Sequence, residues 1–498
     1  MTTVTRRRAP VMALACFVPL VAHAGSACDR LLRQFGAQLA DATCVESADL
    51  TTTNPDTTPA NNAIAGLPAF AFTPQTDRAT ISPSAAKRAP VTKAVPGLQL
   101  DARIASDPTG QARFLLRLPA DWNGKLVVAG ASGTRSEFNG DFSWSDYVVQ
   151  KGYAYASQNK GVLNLQLSTS ADPLACRLNP VSATYVNFFD NGPSQQFSRW
   201  AEYMVKAGRL ARHGVQSQYG RPPRFVYAVG TSNGGYQVRR AVETAPEVFD
   251  GGVDWEGTFV DEHAPNLLTD LPAAVLNYND YAASGLDANS TAAKNIRAAG
   301  YPPDIVASPT STLWTSYWAQ FWEVTQCQWQ KRLDPTYDTY NGAGTGTGTY
   351  NYVARLSASD VGAQVNSFAT TGRIQRPLIT VAGTMDALLP IDHHARAYAR
   401  KVAAAQSQSN DEGWWPHHDE RDAPYRLYEV QNGNHIETFQ DSFPQLALIE
   451  PVAHAAFDLL AAHVESHAAL PASQCVAKGA TIAQSPSQPG HCAQLYAP

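Results

Sequence analysis

The chain has 498 residues, a length that fits two to four domains or one large α/β domain with an insertion. Hydrophobic residues make up 44% of it and aromatic residues 10%, a globular composition that excludes collagen, coiled coil and wholesale disorder. The 38 Lys and Arg residues against 43 Asp and Glu residues give a formal charge of −5. Because no basic field would gather phosphates, nucleic acid is not an expected partner.

Residues 1–24 have the pattern of a secretory signal peptide. Three arginines at 6–8 precede an apolar run at 9–21, and the small-residue sequence AHA at 22–24 resembles a cleavage site. The run is shorter than the roughly 20 apolar residues of a membrane span. We therefore expect a secreted or periplasmic protein, exported by the general or the twin-arginine route, with no stable membrane insertion.

Cleavage would leave six of the seven cysteines, an even number that favours three disulfides in an oxidising compartment. Six cysteines allow many pairings, and the sequence does not select one. The spacings that close short terminal loops are Cys28 with Cys44 and Cys475 with Cys492, which leaves Cys176 with Cys327. No Cys or His spacing typical of zinc occurs, and we expect neither a metal nor another cofactor.

Residues 25–95 are predicted to form a disulfide-pinned wrap and linker, because their composition turns to Thr, Pro, Asn and Ala. Short apolar strands then alternate with amphipathic helices, a pattern typical of a parallel sheet covered by helices. In chain order we predict strands at 111–118, 125–129, 153–157 and 224–229, and helices at 197–213 and 235–245.

The alternation stops over residues 257–375, which we interpret as an inserted cap. Trp314, Trp318 and Trp322 recur there at helical spacing. Core packing is one interpretation of this stripe, and an apolar wall facing a substrate is the other.

The sheet resumes with predicted strands at 377–382 and 425–430 and a helix at about 393–405. These elements indicate a core of residues 96–256 and 376–470. A polar tail pinned by its two cysteines is predicted over 471–498.

The predicted strand at 224–229 runs into Gly230-Thr231-Ser232-Asn233-Gly234, a G-x-S-x-G pattern between a strand and a helix. Such a turn pushes the serine hydroxyl above the sheet, so Ser232 is the candidate nucleophile. The plain alternative is a tight turn with a capping serine.

A serine nucleophile needs a histidine base that a carboxylate orients. Asp386 lies shortly after the strand at 377–382, and His435 lies shortly after the strand at 425–430, in the order Ser, acid, His of α/β-hydrolases. Asp392 competes for the role of the acid. His393 and His394 follow the wrong strand and are interpreted as surface or helix-dipole histidines.

The oxyanion of the reaction needs two N–H donors. The backbone amide of Asn233, next to the nucleophile, is one candidate. The loop after the strand at 125–129 supplies the other, with Ala131 and Ser132 as alternatives, although Ser132 also fits a helix cap.

Four segments resemble the tannase and feruloyl esterase family of secreted α/β-hydrolases. They are LPADWNGKLVVAG, YGRPPRFVYAVGTSNGGYQVRRAVETAPEVFDGG, PLITVAGTMDALLP and NGNH, within residues 110–440. The resemblance implies a serine esterase with a large cap between the sixth and seventh strands and a triad of Ser232, Asp386 and His435. It also implies aromatic, tannin-like or feruloyl-like ester substrates.

The chain departs from that family at two places. Thr231 and Ile436 stand where the family carries a disulfide-linked pair of cysteines, and the acidic calcium-binding repeat is missing ahead of residues 366–368. We therefore expect no calcium. The SNGG sequence of the turn is also similar to 3-hydroxybutyrate oligomer hydrolases, which makes hydroxyalkanoate oligomers the alternative substrates.

Two other functions remain as alternatives at this point. A hydrolase scaffold that only binds a ligand would be expected to have lost a triad residue. A metallohydrolase would use His417, His418 and Asp419, in a stretch that is typical of an exposed loop. Nothing in the sequence indicates an oligomeric state.

Overall fold

A computed structural model describes residues 26–59, 73–133, 136–162, 166–187, 197–263, 265–335, 350–411 and 424–497. The predicted signal peptide lies outside the described residues, and so do His417, His418 and Asp419. Within the described ranges, no helix combines the length and the apolar character that crossing a membrane would require.

A sheet of ten strands forms the centre of the protein. Its order is β1-β2-β3-β5-β4-β9-β10-β13-β14-β15, and it is parallel from β5 onward. These strands are β1 Leu39–Ser47, β2 Gly97–Ile104, β3 Arg113–Pro119, β4 Lys125–Gly130, β5 Ala154–Gln158, β9 Phe225–Thr231, β10 Gly251–Trp255, β13 Leu378–Gly383, β14 Tyr425–Val430 and β15 Gln474–Val476.

Five short strands lie outside this sheet. Three form one small sheet and two form a hairpin in the insertion between β10 and β13. They are β6 Gln166–Ser168, β7 Cys176–Arg177, β8 Tyr185–Asn187, β11 Val306–Ser308 and β12 Ser311–Thr312.

Helices cover both faces of the central sheet because neighbouring strand residues point to opposite faces. Val128 and Ala228 pack toward α1, α4, α5 and α12, whereas Val127 and Val229 pack toward α3 and α13. These helices are α1 Ala27–Phe35, α3 Asp146–Val149, α4 Arg199–Tyr219, α5 Asn233–Thr244, α12 Ala395–Asp411 and α13 Glu450–Ser466. The mostly parallel sheet between helical layers confirms the predicted α/β-hydrolase fold.

The chain between β10 and β13 forms a largely helical insertion, whose aromatic core is continuous with residues of α4, α5 and the segments after β13 and β14. This is the segment that the sequence predicts as a cap between two neighbouring strands. Its helices are α6 Leu267–Ala283, α7 Thr291–Ala298, α8 Leu313–Tyr317, α9 Glu323–Leu333, α10 Tyr352–Leu356 and α11 Val361–Asn366, with a π-helical turn, Trp318–Trp322, joining α8 to α9.

The N-terminal segment is more regular than the predicted wrap. After α1, strand β1 pairs antiparallel with β2 at the edge of the main sheet, and neither strand is predicted from the sequence. A short helix, α2 Pro74–Asp77, follows the undescribed stretch at 60–72. The three cysteine pairings favoured by the spacings are all present as disulfides.

Candidate active site

Ser232 stands at a sharp turn between β9 and α5. Its backbone has φ 60° and ψ −122°, a conformation that is strained for a residue with a side chain. A Cβ atom at Gly230 would lie 2.5 Å from the carbonyl of Gly234, and one at Gly234 would lie 2.5 Å from the carbonyl oxygen of Gly130. The glycines therefore permit the close passage of strand and helix that the G-x-S-x-G turn requires.

The structure brings His435 and Asp386 together as the sequence predicts. The His435 Nδ1–H donates to Asp386 Oδ2 over 2.7 Å, since a carboxylate oxygen only accepts. The other carboxylate oxygen, Oδ1, accepts the amides of Leu388 at 2.8 Å and Leu389 at 2.7 Å. Three donors thus hold the Asp386 carboxylate in place, and the carboxylate in turn orients the imidazole ring.

Ser232 and His435 line one cavity of about 330 Å³. The Ser232 hydroxyl has no hydrogen-bond partner among the described residues, and its side chain is only 7% exposed. Catalytic hydrogen bonds often form only when substrate binds, so the free hydroxyl is compatible with proton transfer. The geometry brings the nucleophile and the base of the predicted triad to the same cavity.

The walls of the cavity come from segments that are far apart in the sequence. Ile81 comes from the N-terminal segment, Leu178 from the connection between β7 and β8, Val324 from α9 and Leu389 from the loop that carries Asp386. The Cys176–Cys327 disulfide links two of these segments, because Cys327 lies in α9. The site therefore depends on four parts of the chain that only folding brings together.

The predicted oxyanion donors differ in how their amides are used. Asn233 is the first residue of α5, where a backbone N–H has no partner within the helix. The Ser132 amide donates to Asn139 Oδ1 at 3.1 Å, and the Ser132 hydroxyl donates to the same oxygen at 2.6 Å. Ser132 lines the cavity and Ala131 does not, but the Ser132 amide is already engaged, so both predicted loop donors stay candidates.

A lysine that sequence reasoning missed supports this loop. Lys160 is buried, and its amine donates to the carbonyl oxygens of Ala131 at 3.0 Å and Ser132 at 3.1 Å. Its positive φ of 63° marks a constrained position just after β5. Two carbonyls held by one ammonium fix the direction of the neighbouring amides.

The three tryptophans predicted to contact substrate do not line the cavity. Trp314 and Trp322 are fully buried, and their indole N–H groups donate to the carbonyl oxygens of Pro302 and Ala387. Trp318 is half-buried and stacks on a tyrosine of α6 with ring centroids 4.7 Å apart. The stripe serves as the core of the insertion, which is the first of the two interpretations given above.

Other aromatic residues of the same helical segment reach the cavity. Phe321 and Trp329 belong to its lining, one on the π-helical turn and one on α9. The extra residue per turn of a π-helix changes which side chains share a face. Regular helical spacing therefore identifies the segment, but the aromatic residues that line the cavity are not those of the tryptophan stripe.

The competing acid and histidines lie elsewhere. Asp392 has a side chain that is 49% exposed and forms an ion pair with Arg396 at 3.0 Å. His393 Nδ1 lies 2.8 Å from Asp270 Oδ1, and His394 Nδ1 accepts the amide of Phe259. The hydrogen bond to Asp270 raises the pKa of His393, whereas burial lowers the pKa of His394.

Glu256 is a second residue that sequence reasoning missed. Its Oε2 lies 3.5 Å from His435 Nδ1, and its Oε1 accepts the amide of Gly383 at 3.0 Å. Burial, and then the charge of Asp386, raise the pKa of Glu256 well above its ordinary value. The available signal was its place directly after the buried strand β10, at the same sheet edge as Ser232.

Glu256, Asp386 and His435 also offer ligand atoms within 4.8 Å of one another. A proton already bridges His435 and Asp386, and backbone amides occupy further carboxylate oxygens. Such partners suit a hydrogen-bonded triad, so we assign no metal ion to these residues.

Comparison with known proteins finds similarity to ester hydrolases. Residues 338–494, which include Asp386 and His435, match the family model for 3HB-oligomer hydrolases. The D-(-)-3-hydroxybutyrate oligomer hydrolase of Burkholderia thailandensis is 30% identical over 120 residues, which is 23% of this chain. The match spans only 15% of that relative.

Two solved structures show wider but more distant likeness. Feruloyl esterase B from Aspergillus oryzae has a TM-score of 0.49 at 14% identity, covering 86% of this chain and 88% of its own. Tannin acyl hydrolase from Aspergillus niger has a TM-score of 0.47 at 14% identity, covering 87% and 92%. By sequence, the C-terminal third of the chain is similar to 3-hydroxybutyrate oligomer hydrolases, a resemblance that the elbow sequence predicted.

Proposed function

We propose that this protein is a carboxylic-ester hydrolase that uses a triad of Ser232, His435 and Asp386. The observation that carries the proposal is that a serine on a strained turn and a carboxylate-bound histidine line the same cavity. Neither a capping serine nor a scaffold that only binds a ligand needs this combination. The metallohydrolase alternative rests on residues outside the described ranges and gains no support.

The mechanism follows from these roles. As Ser232 Oγ bonds to the ester carbonyl carbon, its proton passes to His435 Nε2, and Asp386 stabilises the imidazolium that forms. The amide of Asn233 and an amide of the loop at Ala131 and Ser132 stabilise the oxyanion. The imidazolium returns the proton to the departing alkoxide, which leaves an acyl-serine, and water releases the acid by the same sequence of steps.

We propose short 3-hydroxyalkanoate esters as the substrates. The sequence likeness to 3-hydroxybutyrate oligomer hydrolases supports this class. The aliphatic side chains of Ile81, Leu178, Val324 and Leu389 in the cavity wall suit the methyl and methylene groups of such an acyl chain.

Aromatic esters of the tannin or feruloyl kind are the second candidate. Phe321 and Trp329 in the same wall favour them, because an aromatic ring of a substrate packs well against aromatic side chains. A panel of 3-hydroxybutyrate dimer, methyl gallate, methyl ferulate and p-nitrophenyl esters separates the classes by their ratios of kcat/KM.

A fluorophosphonate probe tests the nucleophile directly. The wild-type protein should be labelled, Ser232→Ala should not, and Ser367→Ala, which changes an exposed serine of the insertion, should be labelled like the wild type. Ser232→Ala should also lower kcat by about 10⁴-fold or more. Labelling that persists in folded Ser232→Ala, or ester hydrolysis at the wild-type rate, would overturn the proposal.

We further propose that the chain is exported and that residues 1–24 are removed. The three disulfides support an oxidising compartment. The N-terminal sequence of the protein recovered from the periplasm or the medium should begin near Gly25. A mature chain that still begins at Met1 would contradict the proposal.

A further inference from the structure

Glu256 is held in an unusual place at the end of β10. Its backbone has φ 52°, a left-handed conformation for a residue that is not glycine. Its amide donates to the carbonyl oxygen of Val381 at 2.8 Å, and its Oε1 accepts the amide of Gly383 at 3.0 Å. Both contacts attach it to β13, the strand that leads into the loop carrying Asp386.

The other carboxyl oxygen of Glu256 points into the candidate triad. Oε2 is buried, lies 3.5 Å from His435 Nδ1 and has no hydrogen-bond partner within the described part of the chain. Asp386 Oδ2 lies 2.7 Å from the same nitrogen, His435 Nδ1. The imidazole Nδ1–H therefore has two carboxyl groups within reach, one bound and one without a partner.

The two carboxyl groups differ in how well the protein supports a charge on them. Asp386 accepts two amides and the imidazole N–H, whereas Glu256 accepts one amide. Hydrogen bonds to a carboxylate favour its charged form, and two like charges this close in a buried site disfavour double ionisation. Burial and the charge of Asp386 raise the pKa of Glu256, so Glu256 is the carboxyl group that keeps a proton.

We propose that Glu256 is a reserve acid of the triad, a positioning residue that pairs with His435 Nδ1–H when Asp386 cannot. This inference rests on the proposed function, since it assigns Glu256 a role in the reaction of Ser232 and His435. In the intact protein Asp386 carries that pairing, and the Glu256 side chain fills the other side of the imidazole.

The groups around Glu256 decide how this role depends on pH. It faces Asp386 from the loop after β13, His435 and Glu437 from the segment after β14, and Tyr317 from α8. Tyr317 is neutral, and its hydroxyl donates to Asn434. Burial and Glu450 raise the pKa of Glu437 to about 8.

Removal of the Asp386 charge takes away one of the three causes that raise the pKa of Glu256, whereas burial and the charge of Glu437 remain. Glu256 then loses its proton as the pH rises and becomes a carboxylate partner for His435. We expect the kcat of Asp386→Ala to rise from neutral to alkaline pH. The rise should disappear in Asp386→Ala/Glu256→Gln, because a carboxamide does not ionise.

The test compares kcat against pH for four full-length variants on one p-nitrophenyl ester. At alkaline pH, Asp386→Ala should exceed Asp386→Ala/Glu256→Gln by about tenfold or more. Asp386→Ala/Glu450→Gln is the matched control, since Glu450 is also a buried acid but contacts neither His435 nor Glu256, and it should behave like Asp386→Ala. Glu256→Gln alone should keep the shape of the wild-type pH profile, because Asp386 still pairs with His435.

Equal kcat values for Asp386→Ala and Asp386→Ala/Glu256→Gln at every pH would overturn the inference. An equal loss in the Glu450→Gln control would assign the effect to the loss of any buried acid and would also overturn the inference. Circular dichroism of each variant checks that it is folded. Failure of the proposed function would look different, because Ser232→Ala would then keep the wild-type kcat.

Discussion

Among the described residues, the buried aspartates Asp386 and Asp270 both pair with histidine, and they lie in two different regions. Asp386 holds His435 at 2.7 Å beside the cavity, whereas Asp270 of α6 holds His393 at 2.8 Å where the insertion packs on the core. The distances are nearly equal. The pairs differ in what the rest of the imidazole meets, because His435 lines a cavity with Ser232 and His393 does not.

This difference shows that a histidine–carboxylate pair is not by itself a sign of catalysis. His435 of the Asp386 pair lines a cavity together with Ser232, and under the proposed function its imidazole takes the serine proton. The Asp270 pair ties a helix of the insertion to the segment before α12, which is a structural role. Separate substitutions in the two pairs test this distinction.

The largest expected difference is between the two histidines. His435→Ala should lower kcat by about 10⁴-fold, because Ser232 then has no general base. His393→Ala should change kcat by less than about threefold, since it contacts neither Ser232 nor the cavity. Steady-state hydrolysis of a p-nitrophenyl ester measures the kcat of each variant. An equal loss of kcat in the two variants would contradict the different roles assigned to the two histidines.

Substitution of Asp386 should lower activity, whereas substitution of Asp270 should lower stability. Asp386→Asn should lower kcat by about 10³-fold or more at neutral pH, because an amide favours the wrong imidazole tautomer. Asp270→Asn should leave kcat nearly unchanged but lower the free energy of unfolding by about 2–3 kcal/mol, since it breaks a buried pair. Urea unfolding and kcat, measured on the same samples, check both statements. Loss of activity in Asp270→Asn with unchanged stability would contradict this view.

The smallest expected effect is the pH dependence of the His393 pair. The hydrogen bond to Asp270 raises the pKa of His393, so its contribution to stability is complete below the unfolded-state pKa of about 6.5 and is lost as the pH rises through the folded-state pKa. The His393 side chain is 30% exposed, which limits the contribution to about 0.5–1 kcal/mol. The Tm difference between wild type and His393→Gln should therefore be larger at acid than at alkaline pH. A Tm difference that increases with pH would contradict the raised pKa of His393.

Much of the candidate site could be predicted because its signals are local. Ser232 lies between a buried strand and a helix, and Asp386 and His435 each follow a buried strand by a few residues. In a parallel sheet such positions meet at one edge, so strand order alone brings them close. Their catalytic roles remain predictions that the experiments above test.

Other parts of the site carried no local signal. The tryptophan stripe was compatible with a packed core and with a wall facing substrate, and only the tertiary structure shows that it packs in the core. Strands β1 and β2 were missed because edge pairing depends on a partner strand and not on composition. Lys160 and Glu256 were missed because each contacts residues that follow a different strand of the sheet.

The sequence by itself determined the alternation of strands and helices, the serine turn and the cysteine spacings, since each depends on residues close together in the chain. Tertiary structure alone decided which side chains form the cavity wall, that Ser132 is engaged by Asn139, and that Glu256 lies beside His435. The physical reason is that contacts between distant segments depend on how whole elements pack. No short stretch of sequence records that packing.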